Sequence, residues 1–167
     1  DEPRLTFPSP SGAHNWQPMS YSPQTGLVYI PAMDVPATYG ADPESPRAST
    51  YWQTGTDMAK GTTPMQLGPD IERSMYDQLV KASLLAWDPV RQEAAWRVPH
   101  EHPWNGGTLA TAGGLVFQGD AMGFFSAYRA TDGERLWQAP ANNGIVAAPI
   151  SYEVDGEQYV AVLAGWG

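Results

Sequence analysis

The sequence predicts an all-β fold built from repeated antiparallel units, and two observations carry this prediction. The 167 residues include 7 Trp, 8 Tyr and 4 Phe, together with 17 Gly and 16 Pro. Aromatic side chains favour strands, and frequent Gly and Pro divide the chain into short segments. A chain of this length can bury one ordinary hydrophobic core. The second observation is an internal repeat.

A pattern that contains tryptophan recurs about every forty residues. Ala86-Trp87-Asp88 is followed by Trp96, ten positions after the alanine, and Ala127-Tyr128-Arg129 is followed by Trp137 at the same distance. The two alanines are 41 positions apart. A period near forty with four short strands is typical of β-propeller blades. A β-sandwich also has regularly spaced short strands, but the phased tryptophans favour the propeller.

A repeated hairpin sets the predicted blade boundaries. Apolar segments flank Gly-containing turns in three copies, so antiparallel hairpins are predicted over residues 17–30, 108–119 and 149–163. We therefore divide this single partial domain into a first blade at 17–99, a second at 102–140 and an incomplete third at 144–167.

The first blade contains a long insertion, residues 33–80, which is rich in Pro, Gly, Ser, Thr and Asp and has little strand periodicity. Ile71, Met75 and Leu79 recur every four residues after Pro69-Asp70, which predicts one or two helical turns. Loops of this length usually cover or bind something. The alternative is a solvated excursion on the rim.

Charge and composition exclude several function classes. The net charge of −9 argues against nucleic acid as a partner and against anionic membrane surfaces. The absence of cysteine excludes disulfides, thiolate catalysis and Cys-based metal sites. No Ser-His-Asp order, P-loop or G-x-G-x-x-G motif is present. No apolar run approaches the ~20 residues that a membrane span needs. We expect the 167 residues to be part of a longer chain.

Five stretches carry a resemblance to a known family. They are AHNWQPMSYSPQTGLVYIPA, LLAWDP, HPWNGGTLATAGGLVFQGD, RATDGERLW and NNGIVAAPISYEVDGEQYVAVLAGWG. In this order they resemble the quinoprotein alcohol dehydrogenases that use pyrroloquinoline quinone (PQQ), and most closely the quinohaemoprotein branch that oxidises primary alcohols. Two alternatives remain open: a non-catalytic propeller scaffold of the same shape, and a quinoprotein dehydrogenase for another substrate such as glucose.

The resemblance implies part of an eight-bladed propeller of four-stranded antiparallel blades, joined by tryptophan-docking motifs. Both copies of that motif depart from the family pattern: Arg91-Gln92 replaces Thr-Gly in the first, and Arg129 replaces Asp in the second. The tryptophan spacing is kept. Trp96 and Trp137 are therefore expected to be structural and buried between blades, because a buried indole supplies large area and one hydrogen-bond donor.

The resemblance also implies cofactor-binding residues. Asn15 matches the PQQ-contacting position of a His-Asn dipeptide, and Trp104 matches a tryptophan that lies beside the PQQ ring. Asn105 is a weaker candidate next to it, and Gly106-Gly107 would leave room for the cofactor. The alternatives are an Asx-type turn at Asn15 and an ordinary core residue at Trp104.

The implied reaction oxidises a small primary alcohol to an aldehyde, with hydride passing to PQQ while calcium polarises the quinone. The catalytic Asp and the calcium ligands are expected outside this segment, so no catalytic or metal residue is assigned here. A separate downstream haem c domain, a c-type cytochrome or quinone as electron acceptor, and a periplasmic, membrane-associated location are further implications. His100-Glu101-His102 lacks a third supporting ligand and is interpreted as an exposed strand end.

Overall fold

The computed structural model describes residues 4–41 and 78–166, so Ile71 and Met75, which predicted helical turns, lie outside the described residues. The chain divides into two compact units, Asp1–Ala13 with Asp34–Val80, and His14–Met33 with Lys81–Gly167. The described residues form twelve strands: β1 Arg4–Thr6, β2 Ser20–Ser22, β3 Leu27–Asp34, β4 Ala37–Tyr39, β5 Lys81–Asp88, β6 Glu93–His100, β7 Thr108–Ala110, β8 Leu115–Gly119, β9 Phe124–Arg129, β10 Arg135–Pro140, β11 Ile150–Val154 and β12 Glu157–Ala161.

The first unit contains a two-stranded antiparallel sheet of β1 and β4, in which Leu5 is opposite Thr38. The N–H of Ser9 donates to the carbonyl of Val35 at 2.6 Å and fastens the chain after β1. β4 lies within the 33–80 insertion, where the sequence showed little strand periodicity. Its three residues are too few to produce a recognisable alternation.

The second unit contains two four-stranded antiparallel sheets and a hairpin. The strand orders are β2-β3-β5-β6 and β10-β9-β8-β7, and β11 pairs with β12. The three predicted antiparallel hairpins are confirmed by the pairing of β2 with β3, β7 with β8, and β11 with β12.

One core is shared by the two four-stranded sheets. β3 alternates between buried and half-buried side chains, as expected for a strand with one face on a core. The buried cluster takes residues from both sheets: Leu27, Tyr29, Leu84, Ala86, Val116, Tyr128 and Ala130. The first strands of the sheets also lie side by side, since Ser20 and Thr108 share a hydroxyl–hydroxyl hydrogen bond of 2.8 Å.

Trp96 on β6 contacts the turn that follows β9, and its predicted role between sheets is confirmed. Its indole Nε1 donates to the carbonyl of Ala130 at 3.1 Å, and the hydroxyl of Tyr29 donates to the same oxygen at 2.9 Å. Burial raises the pKa of Tyr29, so the hydroxyl keeps its proton. A Cβ on Gly133 would lie 2.6 Å from Cε3 of Trp96, so the indole packs directly on the turn backbone.

Trp137 has a different environment, and its predicted burial is wrong for this chain. The residue is 49% exposed, and its ring meets Phe125 edge-on with a centroid distance of 6.0 Å. Trp96 contacts a turn between the third and fourth strands of the next sheet. The third sheet has only β11 and β12 among the described residues, so they contain no equivalent turn for Trp137.

Two further observations concern membrane-spanning helices and metal sites. Over residues 4–41 and 78–166, no helix is long and apolar enough to cross a bilayer. Within the same residues, no group of three or more His, Asp or Glu side chains has an arrangement that could hold a metal ion.

Candidate functional site

The candidate residues lie in loops at one end of the strands. In a four-stranded antiparallel sheet, the start of the first strand, the connection between the second and third, and the end of the fourth lie at the same end of the sheet. Backbone bonds join these loops in the second sheet. The N–H of Gly106, before β7, donates to the carbonyl of Gly119 at 2.9 Å, and the N–H of Ile145, after β10, donates to Asp120 at 2.9 Å.

His14 and Asn15 lie in the segment before β2. Nδ1 of His14 donates to the carbonyl of Pro31 at 2.9 Å, since a carbonyl oxygen can only accept. The N–H of Trp16 donates to Oδ1 of Asn15 at 2.8 Å. The Asn15 amide is thus oriented with its oxygen towards the Trp16 backbone.

Asn105 connects two of the loops. It is 3% exposed, its Nδ2 donates to the carbonyl of His102 at 2.6 Å, and its Oδ1 accepts from the N–H of Ala121 at 3.2 Å. Both described bonds of this amide therefore go to the backbone. Trp104, directly before it, is half-buried.

Gly106 and Gly107 are in close contact with neighbouring protein segments. A Cβ on Gly106 would lie 2.7 Å from the carbonyl oxygen of Ala147, and a Cβ on Gly107 would lie 2.7 Å from Cδ of Pro18 and 2.9 Å from Cβ of Ala148. The expectation that these glycines leave room for a cofactor needs correction. The space that their missing side chains leave is filled by protein.

The same contacts bring three strand starts together. Pro18 precedes β2, Gly107 precedes β7 and Ala148 precedes β11, and Gly107 contacts the other two. The N–H of Thr108 also donates to the carbonyl of Pro18 at 2.9 Å. The Trp104–Asn105 loop is therefore fastened to a residue three positions after Asn15, which brings the sequence-predicted residues to one region of the second unit.

A cavity of about 260 Å³ opens beside this region. Polar side chains from β6, from the loop before β7, from the β8–β9 connection and from β10 line this cavity, together with the ring of Phe124 on β9. The polar residues are His100, Asn105, Asp120, Arg135 and Gln138. Neither Asn15 nor Trp104 lines it. Asn105 is the only predicted residue that contacts it within the described part of the chain.

His100, at the end of β6, is bonded into the second sheet and is not an exposed strand end. Its Nε2 is 2.9 Å from Oε1 of Gln118 on β8, and Nε2 of Gln118 donates to the carbonyl of Gly106 at 2.9 Å. Burial lowers the pKa of His100. The interpretation of the His-x-His segment is corrected for this residue, because its ring packs against the next sheet.

Sequence reasoning did not find Gln118 or the link from His100 to Gly106. Nothing in the local pattern marks Gln118, which is 1% exposed on a strand that reads as ordinary core. The one available signal was a polar residue at a position where β8 alternation predicts burial.

A family model described as "PQQ: Glucose/ethanol/alcohol dehydrogenase, beta-propeller domain" matches residues 1–160. The chain belongs to this family. The predicted fold class, an all-β partial propeller, is confirmed by this match and by the antiparallel sheets.

Relatives of this chain are similar to it over nearly its whole length. It is 49% identical to the quinohemoprotein alcohol dehydrogenase ADH IIB of Pseudomonas putida over 99% of the chain, which is 22% of that protein. It is 45% identical to the 1-butanol dehydrogenase (cytochrome c) of Thauera butanivorans over 98% of the chain and 23% of that protein. The solved quinohemoprotein alcohol dehydrogenase ADHIIG of Pseudomonas putida HK5 superposes with a TM-score of 0.83 at 45% identity, covering 99% of this chain and 24% of that one. The chain thus spans less than a quarter of the length of these relatives.

Proposed function

We propose that this chain is a propeller segment of a PQQ- and calcium-dependent dehydrogenase that oxidises small primary alcohols to aldehydes. The observation that carries the proposal is the family match over residues 1–160, together with 49% identity to a quinohemoprotein alcohol dehydrogenase. We further propose a periplasmic location, a c-type cytochrome or quinone as electron acceptor, and a separate haem c domain downstream of this segment in the longer protein. The cytochrome is favoured by the relative named 1-butanol dehydrogenase (cytochrome c).

The residues of this segment fit one wall of a PQQ site. PQQ is a flat quinone with three carboxylates, so its site needs hydrogen-bond donors around the rim and an aromatic surface near the plane. Asn15 has an amide whose oxygen accepts from the N–H of Trp16, and the Nδ2 of that amide is a hydrogen-bond donor. Trp104 offers a half-buried indole in a loop held against the start of β2. Asn105 completes the proposed wall.

When bound, PQQ supplies an electrophilic quinone carbon that accepts hydride from the alcohol carbon. In this proposal Asn15 donates to a cofactor oxygen, and the ring of Trp104 limits movement of the cofactor plane and excludes water from that side. Asn105 keeps the Trp104 loop on the β8–β9 connection through Ala121. The base that takes the alcohol proton and the calcium ligands belong to other parts of the longer protein.

The test uses the full-length protein that carries this segment. The apo-protein is titrated with PQQ in the presence of calcium, and the rate of oxidation of 1-butanol is measured with an artificial acceptor beside that of glucose. We expect stoichiometric PQQ binding and a clear preference for the alcohol. Preference for glucose would contradict the substrate class, and failure to bind PQQ would favour the non-catalytic scaffold.

A further inference from the structure

A chain of side-chain hydrogen bonds links the first sheet to the loop that carries Trp104. It runs from His100 at the end of β6, through Gln118 on β8, to the carbonyl of Gly106 before β7, with both distances at 2.9 Å. The direction of each bond is fixed by chemistry. The Gly106 carbonyl only accepts, so the amide nitrogen of Gln118 faces it, and the amide oxygen of Gln118 therefore accepts from Nε2–H of His100.

The environment makes this link rigid. Gln118 is 1% exposed, and hydrogen bonds in such surroundings are electrostatically strong, while an unmade one leaves a desolvated polar group. Burial lowers the pKa of His100, which favours the neutral ring. In the described part of the chain, no buried side-chain nitrogen or oxygen lacks a partner, so the link is fully satisfied.

The carbonyl of Gly106, at which the link ends, helps to fix the conformation of the loop. Gly106 is held on one side by its N–H bond to Gly119 and on the other by Gln118. Trp104 stands two residues earlier, separated only by Asn105. The cavity of about 260 Å³, lined by both His100 and Asn105, lies next to the link and can admit water when a bond is lost. Loss of the Gln118 anchor would let the peptide at 106 rotate and displace the Trp104 ring.

We propose that His100 and Gln118 are a positioning pair that sets the place of Trp104 and Asn105 in the cofactor wall. The inference rests on the proposed function, since it assigns the wall residues to PQQ. Neither member of the pair is a catalytic residue. Both act through the backbone of Gly106.

The test compares two amide substitutions of His100 in the full-length protein. The amide nitrogen of glutamine reaches the place of the imidazole Nε2, whereas that of asparagine reaches only the place of Nδ1. His100→Gln therefore keeps a donor to Gln118, and His100→Asn removes it. Half-saturating PQQ is measured by absorbance titration of apo-protein with calcium, at a temperature where circular dichroism shows each variant folded.

We expect His100→Asn and Gln118→Met to raise half-saturating PQQ about three- to tenfold, the loss typical of one hydrogen bond. His100→Gln should stay within about twofold of wild type. Gln138→Met is the matched control, because Gln138 lines the same cavity but donates to Ser126 at 3.2 Å instead of to the loop. Unchanged affinity in His100→Asn, or equal losses in both His100 variants, would overturn the proposal. A failure of apo His100→Asn to fold would also overturn the proposal, because the pair would then be needed for the stability of the sheets and not for the position of the loop.

Failure of the proposed function is distinguishable. If wild-type protein does not bind PQQ, the cofactor assignment fails, and the positioning role is measured instead by amide hydrogen exchange of residues 104–107 in the apo-protein. Faster exchange in His100→Asn than in His100→Gln would support the pair as an anchor of this loop. Equal exchange rates in the two variants would contradict this role of the pair.

Discussion

Gly133→Ala tests the contact between the two four-stranded sheets, and Gly114→Ala is its matched control. Both glycines have left-handed backbones, with φ of +78° and +75°. An alanine there costs about 1–2 kcal/mol of stability at either position. A Cβ at Gly114 meets nothing within 4 Å, whereas one at Gly133 lies 2.6 Å from Cε3 and 3.0 Å from Cδ2 of Trp96. Only the second substitution forces the indole to move.

The displaced indole loses two interactions. Its hydrogen bond to Ala130 is worth about 0.5–1.5 kcal/mol, and its tilted contact with Tyr29, at a centroid distance of 5.6 Å, about 0.5–1.5 kcal/mol. We therefore expect Gly133→Ala to lower the free energy of unfolding by about 1–3 kcal/mol more than Gly114→Ala does.

The assay is equilibrium urea unfolding of the purified full-length protein, followed by circular dichroism. The excess cost should disappear in a Trp96→Ala background, since the clash partner is then absent. Equal destabilisation by the two alanines in the wild-type background would refute the contact. An excess that persists without Trp96 would assign the cost to the turn itself.

The other predictions concern cofactor binding and pH. Asn15→Ala should raise half-saturating PQQ about ten- to a hundredfold, as expected for a lost bond to a charged group, and unchanged reconstitution would return Asn15 to a structural role. Trp104→Ala should leave the apo-protein close to wild-type stability while impairing PQQ binding. Trp96→Ala should cost on the order of 3 kcal/mol in apo and holo protein alike, and equal apo melting temperatures for these two variants would contradict that assignment. Burial lowers the pKa of His100 below its ordinary 6.5, so the unfolded chain binds the extra proton first as pH falls. The contribution of His100 to stability should be complete above pH 6.5 and should be lost as the pH falls through the pKa of the folded state. The midpoint of urea unfolding, measured between pH 5 and 8, should therefore fall at low pH in the wild type and fall less in His100→Gln. An equal pH dependence in the two proteins would exclude His100 as its source.

Local chemistry was sufficient to predict the hairpins and one inter-sheet contact. The turns around Gly26, Gly114 and Gly156 lie between short apolar runs, and each glycine has a positive φ. The repeat spacing identified Trp96 as a residue between blades. It did not identify the acceptor, because Ala130 is 34 residues away and carries only a backbone carbonyl.

Three features could not be predicted, because each depends on distant residues. Trp137 shares the spacing of Trp96, but its environment depends on which neighbouring turn is present. The ring of His100 is bonded to Gln118, 18 positions away, and no local pattern links the two residues. Strand β4 pairs with β1 across more than thirty residues, and neither strand is long enough for its sequence to show a recognisable strand pattern. For the cofactor wall, Asn15, Trp104 and Asn105 came from family resemblance, whereas their anchoring on Pro18 and Ala121 came only from the structure.

The carbonyl of Ala130 also has a consequence for the order of events during synthesis. It accepts from Tyr29 across 101 residues and from Trp96 across 34, so two donors of the first sheet reach their common acceptor only when a turn of the second sheet has been made. At about 5–20 residues per second, the ribosome makes Ala130 roughly two to seven seconds after Trp96. Throughout that interval the Tyr29 hydroxyl keeps its 2.7 Å bond to the Thr25 hydroxyl, but the rings of Tyr29 and Trp96 on the inner face of the nascent first sheet stay open to water. The segment should therefore depend on a chaperone during translation more than its final stability suggests.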